Sequence, residues 1–251
     1  MNDEVSGTIL ITSVPDSLTA FIDTSFYKKY TDAAGISVVS SEKVADKALV
    51  KANEIISHML SKRIDIADAL VKHHSKVMII GAKEETCDLP EYAWFCVGEK
   101  RDYWNKRARG FGGSPEADFS ASCGEENLLC LQGDRYEGEN ILIHEFAHII
   151  HLVGIANVDS TFNNRLEMMY EKAKEKGLWK NTYAMENKEE YFAETVQSFF
   201  NCGRYADPAN GIHNAINRRE KLKKYDPDMY KLLLQYFPND NKSYICNKIH
   251  E

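Results

Sequence analysis

The chain lacks several features that would fix its class at once. It has no run of about 18 consecutive apolar residues, the length a transmembrane helix requires, so no integral membrane segment is expected. It has no basic excess. Its 31 Lys and Arg stand against 38 Asp and Glu, a net charge of −7 that argues against a general nucleic-acid binder. It has no CxxC pair, which argues against a Cys-rich structural zinc site. It shows no internal repeat and no low-complexity tract. The opening "MNDEVSGTILITS" lacks the basic start and long apolar core of a signal peptide, so the chain reads as cytoplasmic or as a mature form carrying an added methionine.

What is present is ordinary in bulk: 251 residues, 43% hydrophobic and 27% charged. That suffices for one large domain or two closely packed subdomains around a cleft. Six cysteines, an even number, favour a secreted, disulfide-bonded protein over a reduced cytoplasmic one. Cys87/Cys96 and Cys123/Cys130 bracket short loops and are expected as local disulfides, with Cys202 meeting Cys246. Asn241–Lys242–Ser243 is a glycosylation sequon.

The pattern divides the chain into an N-terminal extension (1–34), an α/β part (35–152) and a helical part (153–251). "ISVVSS" (36–41) and "KVMII" (76–80) predict strands, and helices are expected over 42–60 and through "DIADALVKHH". Residues 82–126 read as loop-rich, with the basic "KRARG" (106–110) as a solvated loop. "DFSAS" (118–122) and "NLLCL" (127–131) read as strands, with an edge strand beside the cleft. Helices are then expected at 139–152, 161–176, 188–201, 213–224 and 227–236. The fold class is therefore α+β.

At the join lies "ILIHEFAHIIH" (141–151). In a helix His144 and His148 share one face and can aim imidazole nitrogens at one ion. Glu145 is rotated by about 100°, which suits a carboxylate meant for the attacking water and not for the metal. The flanking residues make the helix apolar nearly all round, so it is buried, and burying these polar groups without a partner ion would be costly. His151 lies about 10.5 Å along the axis from His144, too far to share its ion. The HExxHxxGxxH continuation of the metzincins also fails, because His151 and Gly154 stand in each other's places. His151 is expected to be a hydrogen-bonded cleft or core residue.

Zinc (Zn2+) then needs a third ligand, which other zincins take from a glutamate on a second helix. "NKEEYFAETVQSFF" (187–200) places Glu190 and Glu194 one turn apart, with the small Ala193 allowing close helix packing. Glu190 is the candidate metal ligand, and Glu194 the acceptor for the outer nitrogen of a zinc histidine. The plainer alternative is a solvated acidic face.

HEFAH followed by EYFAE resembles the metallopeptidase domain of anthrax lethal factor and its gluzincin relatives. The likeness covers residues 139–200. It implies zinc held by His144, His148 and Glu190, with Glu194 in support and Glu145 as the base. It also implies an oxyanion-stabilising tyrosine seven residues before the ligand glutamate, which here is Tyr183; Tyr170 and Tyr191 are its rivals. Upstream, "YWNKRARGFGG", "SCGEENLLC" and "GENILIHEFAH" are similar to blocks in a widespread group of predicted secreted proteins of unassigned function. The expected protein is a zincin-like metallopeptidase acting on a peptide or protein. The alternatives are a zinc hydrolase for a non-peptide amide or ester, and a zinc-stabilised binding protein without turnover.

Overall fold

A computed structural model describes residues 9–113 and 119–246. A five-stranded sheet runs in the order β1-β2-β3-β5-β4, built from β1 (Lys29–Ala33), β2 (Ile36–Ser40), β3 (Lys76–Ile80), β4 (Gly110–Gly112) and β5 (Ala121–Gly124). The three inner strands are parallel and both edge strands are antiparallel to their neighbours. Between β2 and β3 the chain crosses through α1 (Asp46–Leu60) and α2 (Ile64–Lys72), as a parallel pair requires.

Successive strand residues face opposite sides, and two cores result. Val38, Val77 and Ile79 face the main core with the helices, whereas Val39, Met78 and Ile80 face a smaller one with Val14, Ile22 and Tyr92. All five residues of β3 are buried, as expected of a strand covered on both faces.

The remaining helices are α3 (Glu99–Arg107), α4 (Glu125–Leu128), α5 (Ile141–Ile149), α6 (Ala156–Val158), α7 (Phe162–Glu175), α8 (Lys188–Phe199), α9 (Arg219–Tyr225) and α10 (Pro227–Tyr236). A π-helical turn over Ile150–Ile155 joins α5 to α6. The stretch Ile141–Val158 is long and apolar enough to cross a membrane, but 72% of it is buried inside the protein, which is the signature of a core helix. The architecture is α+β.

Several sequence expectations need correction. "NLLCL" is not a strand: Asn127 and Leu128 end α4 and a turn follows. In "DFSAS", residue 118 lies outside the described residues and pairing begins at Ala121. The span 82–126 contains α3 and β4, and the helix expected from 213 starts only at Arg219. Within "KRARG", Arg109 is buried. Its guanidinium bonds Glu126 at 2.6 and 2.8 Å and the carbonyls of Glu84 and Gly81, which tie three segments together.

The disulfides also differ. Cys87–Cys96 forms as expected. The second bridge is Cys130–Cys246, while Cys123 and Cys202 are buried free thiols. Cys123 sits in β5, so its side-chain direction is set by the strand and not by its near neighbour in sequence.

Candidate metal centre

Helix α5 lies under the sheet edge, against β4 and β5 on one side and α8 on the other. Asn140 caps it, accepting a hydrogen bond from the Ile143 amide at 3.1 Å, and Asn187 caps α8 through the Glu190 amide at 2.8 Å. Leu142, Ile143, Phe146 and Ile149 are fully buried, so the helix is held by packing on most of its circumference. Ala147 on α5 and Ala193 on α8 are both completely buried, and their small side chains let two helices lie close enough for their polar faces to meet.

That meeting brings three ligand atoms together. His144 Nε2 is 3.0 Å from Glu190 Oε2, His148 Nε2 is 3.3 Å from His144 Nε2, and His148 Nε2 is 3.5 Å from the same carboxylate oxygen. Ligands bound tetrahedrally at about 2.0–2.1 Å stand about 3.3 Å apart, so the triangle has the size that zinc requires. Two imidazole nitrogens aimed at each other and at a carboxylate are what a cation holds and what otherwise needs a proton. Among the described residues these three are the cluster able to bind a metal.

The electrostatics agree. Burial works against a charge on His144, but the Glu190 hydrogen bond and the charges of Glu145, Glu194 and Glu190 outweigh it and push its pKa up to about 10. Burial also opposes ionisation of Glu190, and the two histidines still hold that carboxyl well below the usual range. The surroundings therefore demand positive charge at this point. A metal ion is one group that would supply it with these donors.

The outer nitrogen of His144 is fixed by α8. His144 Nδ1–H donates to Gln197 Oε1 at 3.1 Å, with Glu194 Oε1 at 3.6 Å. Gln197 is therefore the closer partner, and it also donates to the Asn140 carbonyl at 3.0 Å. Gln197 lies one turn past Ala193 on α8, and no motif in the sequence marks its role. Burial raises the Glu194 carboxyl to about 8.

Glu145 borders the cleft beside the triangle, and burial raises its carboxyl. Tyr183 reaches the same cleft. Its ring stacks on that of His144 at 6.5 Å, its amide donates to the Ile212 carbonyl at 2.9 Å, and burial and Glu190 raise its hydroxyl to about 12. The rival tyrosines are committed elsewhere. Tyr191 donates to Asp226 at 2.5 Å and Tyr170 to the Met185 carbonyl at 2.8 Å. His151 is completely buried, with Nε2 2.7 Å from Asn163 Oδ1, and takes no part in the triangle.

The triangle opens into a cleft of about 960 Å3. Its walls carry further groups that the motifs did not announce. Glu139 faces His213 at 3.6 Å and Arg204 at 3.9 Å, and burial raises its carboxyl to about 7. The other wall is α3 with Phe95 and Phe111.

No family model matches the chain, and no curated protein matches it. Among solved structures, the chain is similar to a PRO-PRO endopeptidase from Paenibacillus alvei, with a TM-score of 0.49 and 17% sequence identity. The likeness covers 80% of this chain and 97% of that one.

Proposed function

We propose that the protein is a zinc-dependent peptidase of the gluzincin type. The observation that carries this reading is the triangle of His144, His148 and Glu190, sized for zinc and flanked by Glu145 and Tyr183 on one cleft. Zinc bound there would polarise the scissile carbonyl and make an adjacent water acidic enough to lose its proton near neutral pH. Glu145 is the base that accepts that proton and then delivers it to the leaving amine. Burial favours the protonated form of Glu145, which suits a group that must hold the proton between the two steps. Tyr183 donates its hydroxyl to the oxyanion, and its raised pKa keeps the proton in place for that bond. Gln197 and Glu194 fix the His144 ring so that Nε2 points into the triangle. The edge strand β4 borders the cleft and offers an extended peptide a flank to pair with. The two disulfides are in keeping with a secreted protein.

The test joins metal content to cleavage. The wild type is expected to hold one zinc and to cut sites in a diverse peptide mixture, mapped by mass spectrometry. Glu145→Ala should keep the metal and lose cleavage, Glu190→Gln should lose metal affinity, and Tyr183→Phe should slow turnover roughly 100- to 1,000-fold. Cleavage that survives Glu145→Ala would overturn the mechanism.

A further inference from the structure

Helix α3 has an unusual position. It buries no residue, yet it forms one wall of the cleft. Polar ties on one face hold it. Arg101 donates to the Cys87 carbonyl at 2.8 Å and to Asp88 at 2.5 Å, and Asn105 accepts from the Cys87 amide at 2.9 Å and donates to Glu85 at 2.6 Å. The Cys87–Cys96 bridge closes the loop that makes these contacts.

The opposite face carries Lys100, Tyr103, Trp104 and Arg107, at the i, i+3, i+4, i+7 spacing of one helical stripe, and all four line the cleft. Tyr103 meets Trp104 edge-on at 5.1 Å and is still 58% exposed, so much of its ring stands open. Trp104 lies edge-on to both Phe95 and Phe111, so the aromatic surface continues down to the sheet edge. Among the described residues no hydrogen bond or ion pair holds the side chain of Lys100 or Arg107. Arg107 lines the same cleft as Glu145 and Tyr183.

Most carboxylates that line the cleft have partners of their own, and Glu145 and Glu194 stand beside the histidines. Glu190 belongs to the histidines, Glu139 faces His213 and Arg204, and Glu189 has Lys188 at 4.0 Å. The charged side chains that α3 turns to the cleft, Lys100 and Arg107, are both positive. They sit about 10.5 Å apart along the helix axis, which matches about three residues of extended peptide.

We propose that this face of α3 selects the substrate, receiving a peptide segment in which an apolar side chain is flanked by acidic ones. The apolar side chain covers the Tyr103 and Trp104 rings, and the carboxylates meet Lys100 and Arg107. This rests on the peptidase reading above and adds the substrate class to it. A general polyanion surface fits less well, because the stripe lies inside a cleft on a chain of net charge −7.

Three short peptides with one apolar centre, flanked by Glu, Gln or Lys, test it. Binding is measured by calorimetry to the zinc-loaded Glu145→Ala protein, so turnover is not needed. The Glu peptide is expected to bind about fivefold tighter than the Gln peptide, with the Lys peptide weakest, and the preference should shrink as salt is added. Arg107→Glu and Lys100→Glu should each turn the order towards the Lys peptide while melting at the wild-type temperature. Equal binding of the three peptides, or an order unmoved by both reversals, would overturn the proposal. The same peptides incubated with the wild type separate the two readings. A Glu preference in binding with no cleavage of these peptides or of the diverse mixture sinks the peptidase, and cleavage without the preference sinks the role of α3.

Discussion

Gly112 lies so close to Glu145 that a Cβ at Gly112 would fall 2.2 Å from the Glu145 carbonyl oxygen. Next to it Gly113, at φ +77°, would place a Cβ 3.0 Å from the Cβ of His148. Strand β4 therefore rests on the backbone of the histidine helix at the turn that carries the candidate base Glu145 and the candidate metal ligand His148. Gly112→Ala cannot be relieved by turning a side chain, because the obstacle is main chain. The expected cost is about 2 kcal/mol or more, seen as a lowered urea midpoint with metal bound. A wild-type midpoint would mean that β4 stands off the helix.

Gln197 is the test of how the site is held. It is 1% exposed and bridges His144 Nδ1 to the Asn140 carbonyl. Gln197→Leu keeps the size and removes both bonds, so zinc affinity is expected to fall roughly 10- to 100-fold in a competitive chelator titration. Glu194→Gln should cost less, since Glu194 stands farther from the ring.

The raised pKa of His144 gives a signed pH dependence. Without metal the imidazole keeps its proton up to about pH 10, above the ordinary value of 6.5. That group stabilises the metal-free protein below pH 6.5, and the benefit is lost as pH rises towards 10. Zinc must displace the same proton, so its affinity should rise about tenfold per pH unit in that window. The melting-temperature gain on adding zinc should therefore grow with pH, and calorimetry in buffers of different ionisation heat should show proton release. A zinc effect that is flat with pH would contradict the assignment.

The two disulfides should differ in weight. Cys130–Cys246 spans 116 residues and Cys87–Cys96 only nine. On chain-entropy grounds, Cys130→Ser should cost about 4–5 kcal/mol and Cys87→Ser about 2–3 kcal/mol, measured by urea unfolding of the metal-loaded protein. Equal costs would show that local strain, not loop size, governs these bridges.

Helical spacing made much of this site readable. His144, His148, Glu190 and Glu194 each follow from a period of 3.6 residues, which is local information, and the apolar flanks of α5 and α8 told which faces turn inward. The axial distance also placed His151 correctly outside the cluster. What escaped the sequence depends on distant partners. "GFG" has the wrong composition for a strand and "KYTDA" is mostly polar, and both are strands because β5 and β2 offer them a free edge. Arg109 reads as one more surface charge until Glu126 and two carbonyls surround it. Helix α3 has no apolar stripe and so no periodic signal, and the partner of Cys130 lies at the far end of the chain.

The absence of buried residues in α3 has a consequence for how such a protein can change. The floor of the cleft, α5 and α8, is core on most of its surface, so nearly any substitution there disturbs packing. The wall is held by Arg101 and Asn105, which tie α3 to Cys87 and its neighbours, and by a nine-residue disulfide loop whose Trp94 and Phe95 also line the cleft. Lys100, Tyr103 and Arg107 can thus be rewritten one at a time with little loss of stability, whereas Trp104 packs on Phe95 and Phe111. On the proposed reading, selectivity at these three positions can drift while the chemistry on α5 and α8 stays fixed.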